Sequence, residues 1–309
     1  MTTVISVSDL GFDYGDSPVL SDIDLTVDEG EIVGLVGADG AGKSTLLQLL
    51  VGQLIPGRGK ISVLGLDPTD PALRSDLAYM PQGFGLYMDL SISENLEFFA
   101  DLHGMSRSQA RDKINDLLER TGLQGFEDRR AGQLSGGMMQ KLALACALVT
   151  EPRVMFLDEP TTGVDPVSRR AFWRLLEAVR SEGVAILYAT ANMDEAERCD
   201  RVAMLEEGEL SRQGTPLELV AAGEGSLVAV SGESIRGYRE ALRKLPQTRL
   251  VFPVGTRLNV WLQPGVSADA FQAALAADFS GLQVQPLIPT LHDAAVRDLA
   301  LGERASSGK

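Results

Sequence analysis

Apolar and polar positions divide the chain into two stretches of different rhythm. Up to about Val220, short apolar runs alternate with segments whose apolar residues recur every three or four positions. ISVSDL (5–10) and IVGLV (32–36) read as strands. VMFL (154–157) and VAILYA (184–189) are continuous apolar runs, the pattern of parallel strands covered on both faces. The helices carry their own punctuation. KSTLLQLLVG reads as a helix that starts at Lys43. Ser91 and Glu94 predict a capping box before ENLEFFADLH, with Leu96, Phe99 and Ala100 on one face and Gly104 at the stop. Ser106 and Gln109 repeat it before a helix bearing Ala110, Ile114, Leu117 and Leu118, which Gly122 ends. Asp165 and Pro166 start a further helix, with Phe172, Leu175, Leu176 and Val179 as its stripe. In ILYATANMDEAE (186–197) an apolar run ends at Ala189 and a helix starts near Met193, leaving Ala191 at the junction.

The pattern changes at AAGEGS (221–226), which reads as a linker. Beyond it, LVAV, RLVFPV, RLNVWL and LQVQPL read as strands, and SIRGYREALRKL and SADAFQAALAA as helices. The order β-α-β-β-α-β is that of a ferredoxin-like split unit. The predicted class is α/β, with one domain over 1–220 that includes a region of helices at about 83–150, and a small α+β domain over 221–309.

Composition narrows the function. The chain has 309 residues, 44% hydrophobic and 23% charged, with a formal net charge of −15. Nucleic-acid binding rests on Lys and Arg neutralising phosphates, so this balance argues against DNA or RNA as the main partner. Cys146 and Cys199 lack paired spacing and read as buried, reduced thiols. The N-terminus lacks a basic stretch followed by an apolar one, so no signal peptide is expected. The longest apolar run, LALACALV (142–149), is far shorter than the ~20 residues of a spanning helix.

Chemistry concentrates in three motifs. GADGAGKS (37–44) fits G-x-x-x-x-G-K-[ST], with an apolar strand before it and a helix after it. In Gly37, Ala38, Asp39, Gly40, Ala41 and Gly42 the glycines let successive backbone N–H groups face a phosphate, and the helix N-terminus favours the anion. Lys43 reaches outer phosphates, the Ser44 hydroxyl can ligate Mg²⁺, and Thr45 can donate to a phosphate nearer the base. VMFLDEP (154–160) ends a strand in two carboxylates at the sheet edge where ligands sit. Asp158 can hold Mg²⁺, and Glu159 can act as general base on an attacking water. LSGGMMQK (134–141) leads through Ser135, Gly136 and Gly137 into a helix, a second anion-ready N-terminus.

Taken together, residues 1 to about 220 resemble the ATP-binding subunit of an ABC transporter, with the motifs in that family's order. The resemblance implies ATP and Mg²⁺ as cofactors, and a fold with a helical subdomain. It implies that Tyr14 in FDYG stacks on adenine, and that Gln82 in YMPQG contacts Mg²⁺ and couples to the membrane domain. LSGGM matches the family signature, and Asp165 in TTGVD matches the aspartate of a dimer-facing loop. The family mechanism is head-to-tail closure of two such domains over two ATP molecules, pulling on membrane-spanning permease subunits through about 82–95. MDEAERCDRV and the small C-terminal domain resemble subunits of bacterial exporters whose membrane part is a separate chain, working at the cytoplasmic face of the cell membrane as peripheral proteins. IPTLHDAAVRDLA (288–300) resembles a variant of that branch's ending.

One position departs from the family. The family carries a histidine two residues before the Met of MDEAE, where it contacts the γ-phosphate and orients the water. This chain has Ala191 there. Its two histidines lie elsewhere: His103 ends a helix, His292 sits at a helix start, and neither reads as catalytic. Two expectations follow. The chain is an ATPase motor subunit with Glu159 retained, slow at its own site and paired by preference with a different, histidine-bearing domain rather than with itself. Alternatively it is a largely non-hydrolysing regulatory ATP-binding subunit that supports a catalytic partner. A repair or translation ATPase of the same superfamily would show long coiled coils or tandem halves, and neither is seen in this sequence.

Overall fold

The computed structural model describes residues 2–221, 225–279 and 281–306. Contacts divide the chain into two units, 1–214 and 215–309. The division falls earlier than the linker read from composition, because the short helix after Gly214 groups with the second unit. Residues 222–224 of that linker lie outside the described residues.

The first unit opens with β1 (Thr3–Tyr14), β2 (Ser17–Asp28), β3 (Ile32–Val36), α1 (Lys43–Leu50), β4 (Arg58–Val63) and β5 (Leu77–Met80). Helices α2 (Ile92–Leu102), α3 (Arg107–Thr121) and α4 (Gly136–Leu148) follow. Then come β6 (Val154–Asp158), α5 (Pro166–Ser181), β7 (Ala185–Thr190), the four-residue α6 (Met193–Ala196), β8 (Arg201–Glu206) and β9 (Glu209–Gly214). A six-stranded sheet runs β5-β6-β7-β3-β8-β9, parallel except for the β8–β9 hairpin. Every residue of β3, β6 and β7 is buried, as their unbroken apolar runs require. A three-stranded antiparallel sheet, β2-β1-β4, forms a second layer. Between the layers lies α1, whose Leu46, Leu47, Leu49 and Leu50 share one core with Ile5 and Leu10 of β1 and with Phe156 and Leu187 of the parallel sheet. The helix that follows the 37–44 loop is therefore held on both sides.

Both capping boxes form. Ser91 Oγ accepts from Glu94 N and Glu94 returns to Ser91 N; Ser106 and Gln109 do the same. Gly122 ends α3 in the left-handed region at φ 65°. His103 is the exposed C-cap of α2. Ahead of α2 the loop after Gln82 is tied down by a residue that pattern reading passes over. Asn95 is fully buried. Its Oδ1 accepts from Tyr87 N at 3.0 Å, and its Nδ2 donates to the carbonyls of Tyr87, Leu90 and Ser91 at 3.1, 3.3 and 2.9 Å.

The second unit contains α7 (Pro216–Ala221), β10 (Leu227–Ser231), α8 (Arg239–Arg243), β11 (Thr248–Val254), β12 (Arg257–Leu262), α9 (Ala268–Asp278), β13 (Gln283–Leu287) and α10 (Leu291–Ser306). Its antiparallel sheet has the order β11-β12-β10-β13, that of a split β-α-β-β-α-β unit. The helix expected over 234–245 is broken: a 3₁₀ turn, Ile235–Tyr238, precedes α8, with Ser234 at φ 52° and Gly237 inside the turn. Phe271 and Leu275 of α9 and Leu242 of α8 share a core with Val228, Val251 and Val260 of one sheet face. On the other face α10 packs Val296 and Ala300 against Leu227, Leu250 and Trp261. Arg297, 1% exposed, sets its guanidinium 4.7 Å from the Trp261 ring centre. Among the described residues no helix is long and apolar enough to cross a membrane.

Asn95→Ala removes the acceptor of the part-buried Tyr87 N–H, while the carbonyls of Tyr87, Leu90 and Ser91 keep the backbone donors Leu90 N, Ala131 N and Asn95 N, at a cost of about 1–3 kcal/mol in the stability of this region. Amide exchange at Tyr87 in the full chain should quicken and the melting temperature should fall. Unchanged exchange would show that the loop is held by other contacts.

Candidate functional site

Two structural facts shape the loop after β3. A Cβ on Gly37 would come to 2.4 Å from the Leu205 carbonyl, so only glycine lets the chain pass against β8. Gly42 precedes α1 at φ 106°, a region L side chains rarely adopt. No side chain caps α1, which leaves its first N–H groups for another acceptor. Ala38, Asp39 and Gly40 are exposed at the crown of the loop, Ala41 is buried, and Ser44 and Thr45 are half-buried in the first turn.

Lys43 does not extend into solvent. Its side chain is 5% exposed, and Nζ donates to the carbonyls of Gly37 at 2.9 Å and Ala38 at 3.0 Å. The same Nζ lies 3.1 Å from Glu159 Oε1. Glu159 reaches it because its backbone turns left-handed, φ 47°, as the chain leaves β6. Such a conformation in a non-glycine residue costs of order 1–3 kcal/mol and persists only where surroundings over-determine it. Here Glu159 N donates to Ala189 O at 2.9 Å, and Thr162 Oγ1 donates to Glu159 Oε2 at 3.1 Å.

Asp158, the last residue of β6, is 2% exposed. Burial pushes its pKa up, the Ser44 hydroxyl beside it pulls the other way, and the Glu159 charge adds to the rise. The Tyr79 phenol on neighbouring β5 also bonds this carboxylate; burial and then the Asp158 charge push that phenol up to about 12. Asp158 Oδ1 is buried and has no hydrogen-bond partner. An orphaned carboxylate oxygen next to a hydroxyl is a suitable donor pair for a hard cation, so Ser44 and Asp158 fit Mg²⁺ held jointly with nucleotide phosphates. Among the described residues no cluster of three or more His, Cys, Asp or Glu could hold a metal alone. Gln82 is exposed in the turn after β5, at the same strand-end edge. Tyr14 is 51% exposed at the end of β1, edge-on to Phe12 at 4.8 Å, with its hydroxyl 3.5 Å from Gln48 of α1.

The signature residues join a different neighbourhood. Ser135 caps α4 by accepting from Met138 N at 3.3 Å. A Cβ on Gly137 would meet Ser168 Oγ at 2.2 Å and Cβ at 2.5 Å, so this glycine lets α4 close on the start of α5. Asp165 caps α5 from Val167 N and Ser168 N at 2.9 and 3.0 Å, and its hydrogen bond with the Ser168 side chain holds its pKa below the ordinary value. Buried Gln140 donates to Pro160 O at 2.9 Å. Ser135, Gly136 and Gly137 make no hydrogen bond to the phosphate loop of their own chain among the described residues. Motif reading missed Tyr79 and Gln140; the first could have been suspected from its place at the end of a strand in the same sheet as Asp158.

A glycine-bounded loop beside two strand-end carboxylates, with a serine-glycine helix start lying apart from both, is the arrangement of an ABC-type ATP-binding domain. A family model described as "ABC transporter" matches residues 20–162. The chain is 47% identical over 263 residues to the probable multidrug ABC transporter ATP-binding protein YbhF of Escherichia coli (strain K12), covering 84% of this chain and 46% of that protein. It thus spans under half the length of that relative. It is 35% identical over 251 residues to the Nod factor export ATP-binding protein I of Cupriavidus metallidurans, covering 80% of this chain and 83% of that protein. The dimeric ATP-binding cassette MJ0796, solved in a post-hydrolysis state with ADP and phosphate, superposes with a TM-score of 0.62 at 25% identity, over 68% of this chain and 98% of that one. The chain belongs to the ABC transporter ATP-binding family.

Lys43→Ala removes the cation that donates to the Gly37 and Ala38 carbonyls, and ATP affinity measured by calorimetry should fall about 100-fold. Glu159→Gln, which frees Lys43 from its ion pair, should bind ATP at least as tightly as wild type. Retained affinity in Lys43→Ala would contradict the assignment of the phosphate loop.

Proposed function

We propose that this chain is the ATP-binding subunit of an ABC exporter, peripheral at the cytoplasmic face of the membrane, driving separate membrane-spanning subunits. The observation that carries it is the meeting of Lys43, Ser44, Asp158 and Glu159 at one strand edge while Ser135–Gly137 lies elsewhere in the chain. A site divided in this way is completed by a second domain, head to tail. The export reading draws on the Nod factor relative's name, and the paired reading on the dimeric cassette.

Arriving phosphates take over the Lys43 donors now given to Gly37 O, Ala38 O and Glu159. Glu159 is then free to hold and deprotonate the attacking water. Mg²⁺, carried by the nucleotide and held by Ser44 and Asp158 with Gln82 completing its shell, would neutralise developing charge on the phosphates. Tyr14 supplies the aromatic face for adenine. The signature helix, joined to the Asp165 loop through Gly137 and Gln140, serves the partner's nucleotide.

The chain's own site lacks one donor. Ala191 is exposed just past β7, and the pairing of Thr190 with Val36 sets it next to the start of the phosphate loop. In the family this position carries the γ-phosphate histidine. Losing one preorganised transition-state donor costs about 10²- to 10³-fold in rate. We therefore assign this chain to the slow half of an asymmetric pair, with a histidine-bearing partner favoured over a second copy. In the second reading, which the same methyl group favours, hydrolysis is lost altogether and the chain is regulatory.

Steady-state ATPase separates these readings. Ala191→His should raise kcat, by up to ~10²-fold, with little change in KM, as expected for a contact made in the transition state. Glu159→Gln should silence both proteins. Equal turnover of wild type and the His variant would make this an ordinary motor that works without the histidine. No turnover in wild type, restored by Ala191→His, would favour the regulatory reading.

A further inference from the structure

Behind the 190–192 turn lies a charge that the reaction does not use. Glu195, in α6, is 3% exposed. A carboxylate taken out of water is strongly unfavourable unless it is paired and hydrogen-bonded. This one is fully engaged. Its Oε2 accepts from the Tyr188 phenol at 3.0 Å and from Thr190 Oγ1 at 2.8 Å. Its Oε1 accepts from Thr161 Oγ1. Arg169 Nε lies 3.3 Å from the same Oε1, an ion pair outside hydrogen-bond geometry. Burial, then the Glu195 charge, push the Tyr188 phenol well above its ordinary value, so it stays a donor.

These partners come from segments that meet at the site. Thr161 follows the catalytic carboxylate by two positions, at the start of the loop that carries Asp165. Arg169, in the first turn of α5, closes that loop from its other end by donating Nη2 to Val164 O at 3.3 Å. Thr190 ends β7, and its Oγ1 accepts from Asn192 N at 2.9 Å across Ala191. One carboxylate therefore ties both ends of the 161–169 segment to the turn that holds position 191.

We propose that Glu195 is a positioning residue that fixes the Asp165 loop relative to the Thr190–Asn192 turn, so that the partner-facing edge and the γ-phosphate edge of the site keep one geometry. The proposal rests on the assignment of ATP to the 37–44 loop. It predicts an effect on the chemical step and not on nucleotide binding, since among the described residues Lys43 and the loop carbonyls share no hydrogen bond or ion pair with these side chains.

The test is steady-state ATPase with calorimetric ATP affinity on the full chain. Glu195→Gln keeps the shape but removes the charge facing Arg169 and presents an N–H₂ to hydroxyl donors. Its kcat should fall roughly tenfold, while KM and ATP affinity stay within about twofold of wild type. Arg169→Met should lower kcat comparably, and the double variant should fall no further, because both act through one contact. Should Glu195→Gln not fold, Thr161→Val tests the same carboxylate with one donor removed: kcat drops, and Thr161→Ser restores it. A wild-type kcat in folded Glu195→Gln or Thr161→Val, with only the melting temperature lowered, overturns the proposal, as does additive loss in the double variant. Failure of the wild type to bind ATP would instead overturn the assignment of the nucleotide site.

Discussion

The site depends on one buried ammonium group. Lys43 is held by two loop carbonyls and by Glu159, and each contact comes from a different consequence of the fold. The carbonyls face inward because Gly37 passes against Leu205 and Gly42 takes a left-handed turn. Glu159 arrives because β6 lies one strand from β3 across β7, and because its own backbone turns left-handed at the strand end. A phosphate competes with these acceptors for the same donors. In the proposed function, nucleotide binding and release of Glu159 as general base are therefore one event.

Around that event the chain keeps its two functional edges apart and connects them through packed polar groups. Gly137 against Ser168, Gln140 on Pro160 and Asp165 at the head of α5 bind the signature helix to the loop that follows Glu159. Glu195 binds that same loop to the turn at Ala191. Ala191 is at the end of this line, and the supporting contacts of Glu195 do not involve its side chain.

Much of this was legible locally. The strand–loop–helix turn over 37–44, the strand-end position of Asp158 and Glu159, both capping boxes and the Asp165 cap depend on neighbours within a few residues, and the structure has these elements where spacing put them. Of the antiparallel layer only part of β1 was read from the pattern, as ISVSDL (5–10). β4 reads RGKISV and β9 reads ELSRQG, too polar to announce themselves; β4 is a strand because the distant β1 pairs with it, and β9, at the edge of the six-stranded sheet, because β8 folds back on it as a hairpin. In β2 the alternation of Ile23, Leu25 and Val27 was a usable signal. The helix expected over 234–245 gave way at Gly237 to a turn. Asn95, Gln140 and Glu195 were beyond reach for a different reason. A buried polar side chain in a helix looks like any solvated one until the strand order and loop paths supply its partners.

The most direct measurement is a structure of the full-length chain bearing Glu159→Gln with ATP and Mg²⁺ bound. The account predicts that Lys43 Nζ leaves the carbonyls of Gly37 and Ala38 for the outer phosphates, and that Ser135 stays away from the nucleotide of its own chain. A nucleotide bound away from residues 37–44, or one contacted by Ser135 of its own chain, would contradict it.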